Sequence, residues 1–240
     1  MPLDEPLGLK VDALNTALKH HAAADVLRHA FQAVPNLALV SSFGAESVAL
    51  LHLAATVRPN VQVLFIDTML LFPETLTYQR EVARALGLHR VRVLRADTLA
   101  ADADNTLHLR DPDGCCYLRK TQVLNEALDG FDGWITGRKR YQSGQRSELP
   151  AFEIEERTGR IKVNPLAHWS STDVQDYMTE NALPRHPLVA RGYPSIGCAP
   201  CTSPVAKGED PRAGRWRDQE KDECGIHFAN GKMVRIGATT

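Results

Sequence analysis

Leu37-Ala-Leu-Val-Ser-Ser-Phe-Gly-Ala-Glu-Ser47 decides the fold. Its apolar start, Leu37 to Ser41, reads as a short buried strand, and Ser42 to Ser47 reads as a polar, glycine-bearing loop. A helix follows over Val48 to Val57. The same sequence of strand, polar end and helix recurs downstream. Val61 to Asp67 is a second strand ending at an acid, and Pro73 opens a helix that runs to about Leu86, stopped by Gly87. His89 to Leu94 alternates polar and apolar residues as a third strand. A helix from about Cys116 to Leu128 leads to a fourth, Gly133 to Gly137. Alternating strands and helices predict an α/β fold with a mainly parallel central sheet flanked by helices. Ligands of such sheets bind beyond the carboxyl ends of the strands. Three polar segments lie there, residues 41–47, Asp67-Thr68 and residues 137–146, and together they predict a nucleotide crevice.

The flanking sequence sets the domain limits. Apolar residues at helical spacing from Val11 to Val34 predict one or two helices before Pro35, so residues 1–35 form a helical part of one α/β domain over 1–202. Thr172-x-x-Gln175 reads as the cap of a helix to about Asn181. From Ser203 to Asp222 basic and acidic residues balance at five each, with few apolar ones between them. Such a segment buries little surface, and residues 203–240 are expected to form a mobile C-terminal tail.

A chain of 240 residues can bury a core without disulfides. With 43% apolar and 24% charged residues it has the composition of a soluble globular protein. A formal net charge of -1 argues against a general nucleic-acid binder. The start, Met-Pro-Leu-Asp-Glu-Pro6, lacks the basic and apolar stretches of a signal peptide, and no apolar run is long enough to span a membrane. A cytoplasmic location is expected, where thiols stay reduced and clustered cysteines indicate metal or redox work.

The five cysteines fall into an adjacent pair, Cys115-Cys116, a spaced pair, Cys198-x-x-Cys201, and a lone Cys224. A Cys-x-x-Cys alone also suits zinc or redox chemistry. The adjacent pair is more telling. Two neighbouring thiolates make a tight chelate ring around one tetrahedral ion, whereas a [4Fe-4S] cluster offers each a separate iron. One such cluster per chain is the leading expectation, with zinc and redox thiols as alternatives. Lys120, four residues after Cys116, would share its helical face, either as a solvated cation or between an anionic cluster and an anionic ligand.

Hydroxyls and amides of Ser41-Ser42-Phe43-Gly44-Ala45-Glu46 can hold a phosphate at a helix N-terminus. Two basic runs add to this. Arg138-Lys139-Arg140 and Arg146 surround Gln142-Ser143, and Arg212-x-x-Arg215-x-Arg217 precedes Cys224. Arginine suits bidentate binding of oxyanions. Lys221 and His227 flank Cys224 and favour its thiolate, while Asp222 and Glu223 oppose it. An incidental C-terminal cysteine is the bland alternative.

Taken together, these residues resemble the iron-sulfur type of assimilatory adenosine 5'-phosphosulfate reductases, from about Ser41 to Phe228. The resemblance rests on Ser41-Ser-Phe-Gly-Ala-Glu-Ser47, Phe65-Ile-Asp-Thr68, Leu71-Phe-Pro-Glu-Thr75, Cys115-Cys116-x-x-x-Lys120, Gly137 with Arg140-x-Gln142-Ser143, Cys198-x-x-Cys201 and Glu223-Cys-Gly-Ile-His227. It implies a Rossmann-like fold similar to the adenine nucleotide α-hydrolases, with Asp67 and Thr68 in the substrate site and the paired cysteines as cluster ligands. It also implies a reaction in which Cys224 attacks the sulfate sulfur, AMP leaves, and a thioredoxin or glutaredoxin releases sulfite from the S-sulfonate. Lys120, Arg140, Arg212 and Arg215 would neutralise the anionic groups, with His227 as a helper. The cluster would act structurally and electrostatically. Homo-oligomers are common in that family; neither a membrane nor a nucleic acid is an expected partner. Two positions depart from its pattern: Met69 stands where glycine is usual, and Lys139 where arginine is frequent. The same chemistry on the 3'-phosphorylated substrate is the neighbouring alternative. An ATP-using adenylyl transferase or pyrophosphatase of similar fold and a metal-binding interaction protein are the more distant ones.

Overall fold

The computed structural model describes residues 6–98 and 100–217. Two helices, α1 (Leu7–Ala17) and α2 (Ala23–Ala33), precede strand β1 (Leu37–Ser41). Then come α3 (Ser47–Val57), β2 (Gln62–Ile66), α4 (Pro73–Ala85) and β3 (Val91–Leu94). Two short helices, α5 (Leu107–Arg110) and α6 (Pro112–Cys116), lead through a wider π-helical stretch, Tyr117–Gln122, into α7 (Val123–Ala127). After β4 (Gly133–Ile135), the strands β5 (Phe152–Ile154) and β6 (Ile161–Val163) precede α8 (Ser171–Glu180).

The six strands form one sheet in the order β3-β2-β1-β4-β6-β5. All neighbours are parallel except β5, which runs antiparallel to β6 at the edge. The α/β expectation therefore holds. The order turns at β1: β2 and β3 lie on one side of it and β4 on the other, so a switch point opens beyond Ser41.

Burial explains why β1 sits in the middle. Each of its five residues is buried, as a parallel strand covered on both faces must be. Leu37 and Leu39 enter one apolar cluster, with Val26 of α2, Leu51 of α3, Val82 of α4 and Val174 of α8. Ala38 and Val40 enter another, with Val123, Leu124 and Ala127 of α7 and Trp134 of β4. Gly87, at φ +63, takes the left-handed turn that ends the α4 region.

Sequence and structure differ at three places. Strands β5 and β6 were not read from sequence: each is three residues long, too short to show a period. The cap of α8 is Ser170, two residues before the expected Thr172. Its hydroxyl accepts from the Asp173 N–H (3.1 Å), and the Asp173 carboxylate accepts from the Ser170 N–H (2.7 Å). The cysteine helix begins at Pro112 with Asp111 as its cap, whose carboxylate accepts from Gly114 N–H at 2.9 Å. Among the described residues no helix is long and apolar enough to cross a membrane.

Candidate active site

A cavity of about 240 Å³ lies beyond the carboxyl ends of β1, β2 and β4. Its wall includes Ser41, Ser42, Gly44, Ala45 and Glu46 from the first crossover, Thr68 after β2, and Gln142 from the segment after β4. Lys120, Cys198, Arg212 and Arg215 also face it. These are sequence-chosen residues drawn from six separate stretches of chain.

Four other substrate-site candidates are not among the lining residues. Phe43 is wholly buried, its backbone at φ +48 and its ring edge-on to Phe65 at 5.2 Å. It fixes the loop from behind. Asp67 accepts from the Met69 N–H and pairs with Arg95, both at 2.9 Å. Met69 takes φ +60 there, a left-handed conformation that glycine adopts more cheaply. Arg140 donates from Nε to the Leu149 carbonyl (2.9 Å), and Ser143 lies between two short 3-10 turns. Cys224 and His227 lie outside the described residues.

The loop before α3 is held by its own hydroxyls. Ser41 Oγ accepts from the Phe43 N–H at 3.2 Å, and Ser47 Oγ accepts from the Gly44 N–H at 3.0 Å. Glu46 faces the opposite wall. Its carboxylate takes Lys139 Nζ at 2.9 Å and the Tyr141 hydroxyl at 2.9 and 2.8 Å. Burial lowers the pKa of Lys139, and Glu46 works against that shift. Arg138 is anchored from below by Asn164 Oδ1 (3.2 and 3.1 Å) and by an ion pair with Glu153 of β5. The edge hairpin missed in the sequence thus supports the floor of the cavity.

Cys198, from the spaced cysteine pair, lines the cavity. Leu71 and Cys198 form an antiparallel bridge, and the Thr68 hydroxyl lies 3.2 Å from Cys198 Sγ. Burial raises the Cys115 thiol pKa most. Arg119 lowers it, whereas Cys198 and Cys201 raise it further, so thiols from both pairs feel one another's charge. None of the four described cysteines is in a disulfide. Among the described residues no three His, Cys, Asp or Glu side chains are grouped around a point that one metal ion could occupy. An all-thiol donor set containing an adjacent pair fits a cluster of separate irons better than a single ion. Behind this set the buried Arg119 guanidinium donates to the Thr68 carbonyl (2.8 Å), Asp102 (2.5 Å) and Asn105 (2.8 Å).

Thr202 and residues 203–217, the described start of the expected tail, close the third side. Thr202 and Arg215 form an antiparallel bridge, and the Trp216 N–H donates to the Cys201 carbonyl at 3.0 Å. The Arg215 guanidinium stacks 4.4 Å above the Trp216 ring. Gly197 makes room for it: a Cβ there would lie 2.3 Å from Arg215 Nη2. Sequence reasoning missed Trp216, Thr75, Thr136 and the segment 194–197 as parts of the wall. It placed Arg138, Lys139 and Arg146 in the crevice segment 137–146 and in a basic run, without giving any of them a role of its own.

Three comparisons bear on this geometry. The phosphoadenosine phosphosulfate reductase domain matches residues 36–204. A Chelativorans sp. (strain BNC1) protein named adenosine 5'-phosphosulfate reductase is 44% identical over 231 residues, 95% of this chain and 94% of that protein. The crystal structure of a Candida auris phosphoadenylyl-sulfate reductase in a phosphate complex superposes with a TM-score of 0.69 at 32% identity, over 81% of this chain and 96% of that one. A Candida glabrata FMN adenylyltransferase with FAD and pyrophosphate gives 0.59 at 12% identity, over 88% and 73%, a likeness of fold alone.

Proposed function

The chain belongs to the phosphoadenosine phosphosulfate reductase family, and on that premise we propose that it reduces adenosine 5'-phosphosulfate to sulfite and AMP. The observation that carries this reading is a single cavity. The serine-rich loop before α3, the cations Lys120, Lys139, Arg146, Arg212 and Arg215, and Cys198 all face it. A phosphosulfate presents two anionic groups in a row, and a cavity walled by cations on several sides suits both. The relative named for the unphosphorylated nucleotide supports that substrate over its 3'-phosphorylated form.

In this reading the Cys224 thiolate attacks the sulfate sulfur. An S–S bond forms, the sulfur–oxygen bond to the phosphate breaks, and AMP leaves with the electron pair. Lys120, Arg212 and Arg215 hold the sulfate oxygens and the departing phosphate, while Ser41, Ser42 and Gly44 border the phosphate. Arg140 supports the turn that carries Gln142. His227 assists at the thiol. A thioredoxin or glutaredoxin dithiol then attacks the S-sulfonate and becomes a disulfide as sulfite departs. Within the expected tail 203–240, the part beyond Trp216 would serve as the moving segment that brings Cys224 to both partners.

Cys115, Cys116, Cys198 and Cys201 would hold a [4Fe-4S] cluster. When bound, it would tie the two cysteine pairs together and add an electrostatic field beside Lys120. A cytoplasmic location and assembly into a homo-oligomer complete the proposal.

Anaerobically purified protein tests this. Adenosine 5'-phosphosulfate should yield sulfite and AMP with a dithiol reductant. Intact-mass analysis without reductant should find one sulfonate adduct that Cys224→Ser abolishes. About four irons and four sulfides per chain are expected from four cysteine ligands. Sulfite formation by Cys224→Ala at the parent rate would overturn the covalent step, and a colourless zinc protein would overturn the cluster.

A further inference from the structure

His186 is buried, and both of its ring nitrogens are engaged. Nδ1 lies 3.2 Å from the Leu188 backbone nitrogen, which can only donate. Nδ1 is therefore an acceptor without a proton. A neutral imidazole then carries its proton on Nε2, and Nε2 lies 3.1 Å from the Thr75 hydroxyl oxygen. So His186 donates and Thr75 accepts. Burial also pushes the His186 pKa down, to about 4, which keeps the ring neutral in this tautomer.

The consequence falls on Thr75. Its hydroxyl has accepted one hydrogen bond and still has a proton to give. No acceptor for that proton is found among the described residues, although a helical threonine often turns back to its own preceding carbonyls. Thr75 lines the cavity from the first turn of α4, four residues after Leu71, which also lines it. Leu71 pairs with Cys198, and Pro194, Ser195 and Ile196 of the adjoining stretch line the cavity too. This wall is apolar with few polar groups, in contrast to the cationic walls formed by Lys139, Arg146, Arg212 and Arg215. A flat heterocycle with ring-nitrogen acceptors suits such a wall, since apolar sites for bases rely on a small number of placed donors.

We infer that Thr75 donates a hydrogen bond to a ring nitrogen of the bound purine, and that His186 is a positioning residue that aims the Thr75 hydroxyl by occupying its acceptor side. The inference rests on the nucleotide reading of the cavity given above. Neither residue takes part in the bond-making step. Loss of either should therefore weaken nucleotide binding and leave turnover at saturation alone.

AMP binding by calorimetry tests this on the full-length protein as purified. Thr75→Val keeps the shape and removes the donor, and should raise the Kd for AMP about tenfold, the cost of one good hydrogen bond to a buried acceptor. Thr75→Ser should restore binding to within about twofold of the parent, which a merely structural role for the hydroxyl's neighbour would not explain. His186→Phe should raise Kd in the same direction, and raise KM with kcat unchanged. The decisive measurement pairs these variants with 1-deaza, 3-deaza and 7-deaza AMP. One of the three should bind the parent protein more weakly than AMP and bind Thr75→Val no more weakly than AMP does. Such non-additivity identifies the partner atom. If every deaza analogue loses the same factor in parent and variant, the inference is overturned while the nucleotide site stands. If AMP does not bind the parent protein, both fall.

Discussion

Lys139 Nζ lies 2.9 Å from Glu46 Oε2, joining the loop before α3 to the segment after β4 across the mouth of the cavity. The lysine side chain is 3% exposed and the glutamate 21%, so this pair is shielded from solvent on one side. Removing one partner of a buried pair costs more than removing both, because it strands a charge.

Glu46→Gln should therefore destabilise the protein by about 3 kcal/mol. The double variant Glu46→Gln, Lys139→Met should recover part of that loss. Urea unfolding of the four proteins closes the cycle, and strictly additive losses would show that the two side chains do not act as a pair.

Arg119 offers a second test. Its guanidinium binds three acceptors at once in a fully buried setting. An ammonium cannot reproduce that fork. Arg119→Lys should lower the unfolding free energy by roughly 3 kcal/mol, because an ammonium leaves at least one of these buried acceptors without its donor. Iron content after anaerobic purification should fall as well, since the same residue props Thr68 behind Cys198. Parent-like iron and parent-like urea midpoints together would remove Arg119 from any supporting role.

Gly197→Ala should separate folding from binding. The added Cβ meets the far end of the flexible Arg215 side chain, not backbone. The fold can yield by moving the guanidinium off Trp216. Thermal unfolding should shift little, whereas AMP affinity should drop about tenfold through loss of one arginine-to-oxyanion contact. A large fall in Tm with parent-like affinity would reverse this assignment.

The buried His186 should also write a signature into stability against pH. Its folded pKa, about 4, lies below the ordinary value of 6.5, mainly through burial and despite the opposing pull of Glu74. Between those values the unfolded chain binds a proton that the folded one does not. Stability should thus be fully present above about pH 6.5 and fall as the pH drops toward 4. Denaturant titrations of His186→Phe should show a shallower slope over that interval. An unchanged slope would mean that the ring does not titrate as its burial requires.

Much of this was readable in the chain, and the reasons are physical. Apolar runs such as Leu37 to Val40 and Val63 to Phe65 are continuous because parallel strands are covered on both sides, and their polar endings mark the switch point. The cysteine spacing and the loop Ser41 to Ser47 carry chemistry in residue type alone. What stayed hidden depends on contact. Nothing in the triplets Phe152–Ile154 and Ile161–Val163 shows a period, yet they pair and bring Glu153 beneath Arg138. Lys139 reads in sequence as a departure from arginine that keeps the charge and loses the fork, and only packing reveals its bond to Glu46. Trp216 sat in a stretch of alternating charge whose average hid one buried ring.

The hydrogen bond from Trp216 to the Cys201 carbonyl has a geometric corollary. It pins a point on the chain only eight residues before Cys224, counting 224 minus 216. At about 3.3–3.6 Å per residue, the sulfur's Cα cannot stray beyond roughly 26–29 Å of that pin, whatever path the intervening peptide takes. The proposed nucleophile is leashed. Within a sphere of that radius one molecule corresponds to a local concentration on the order of millimolar or above, so its encounter with a ligand in the cavity is set by tether length and not by how dilute the protein is.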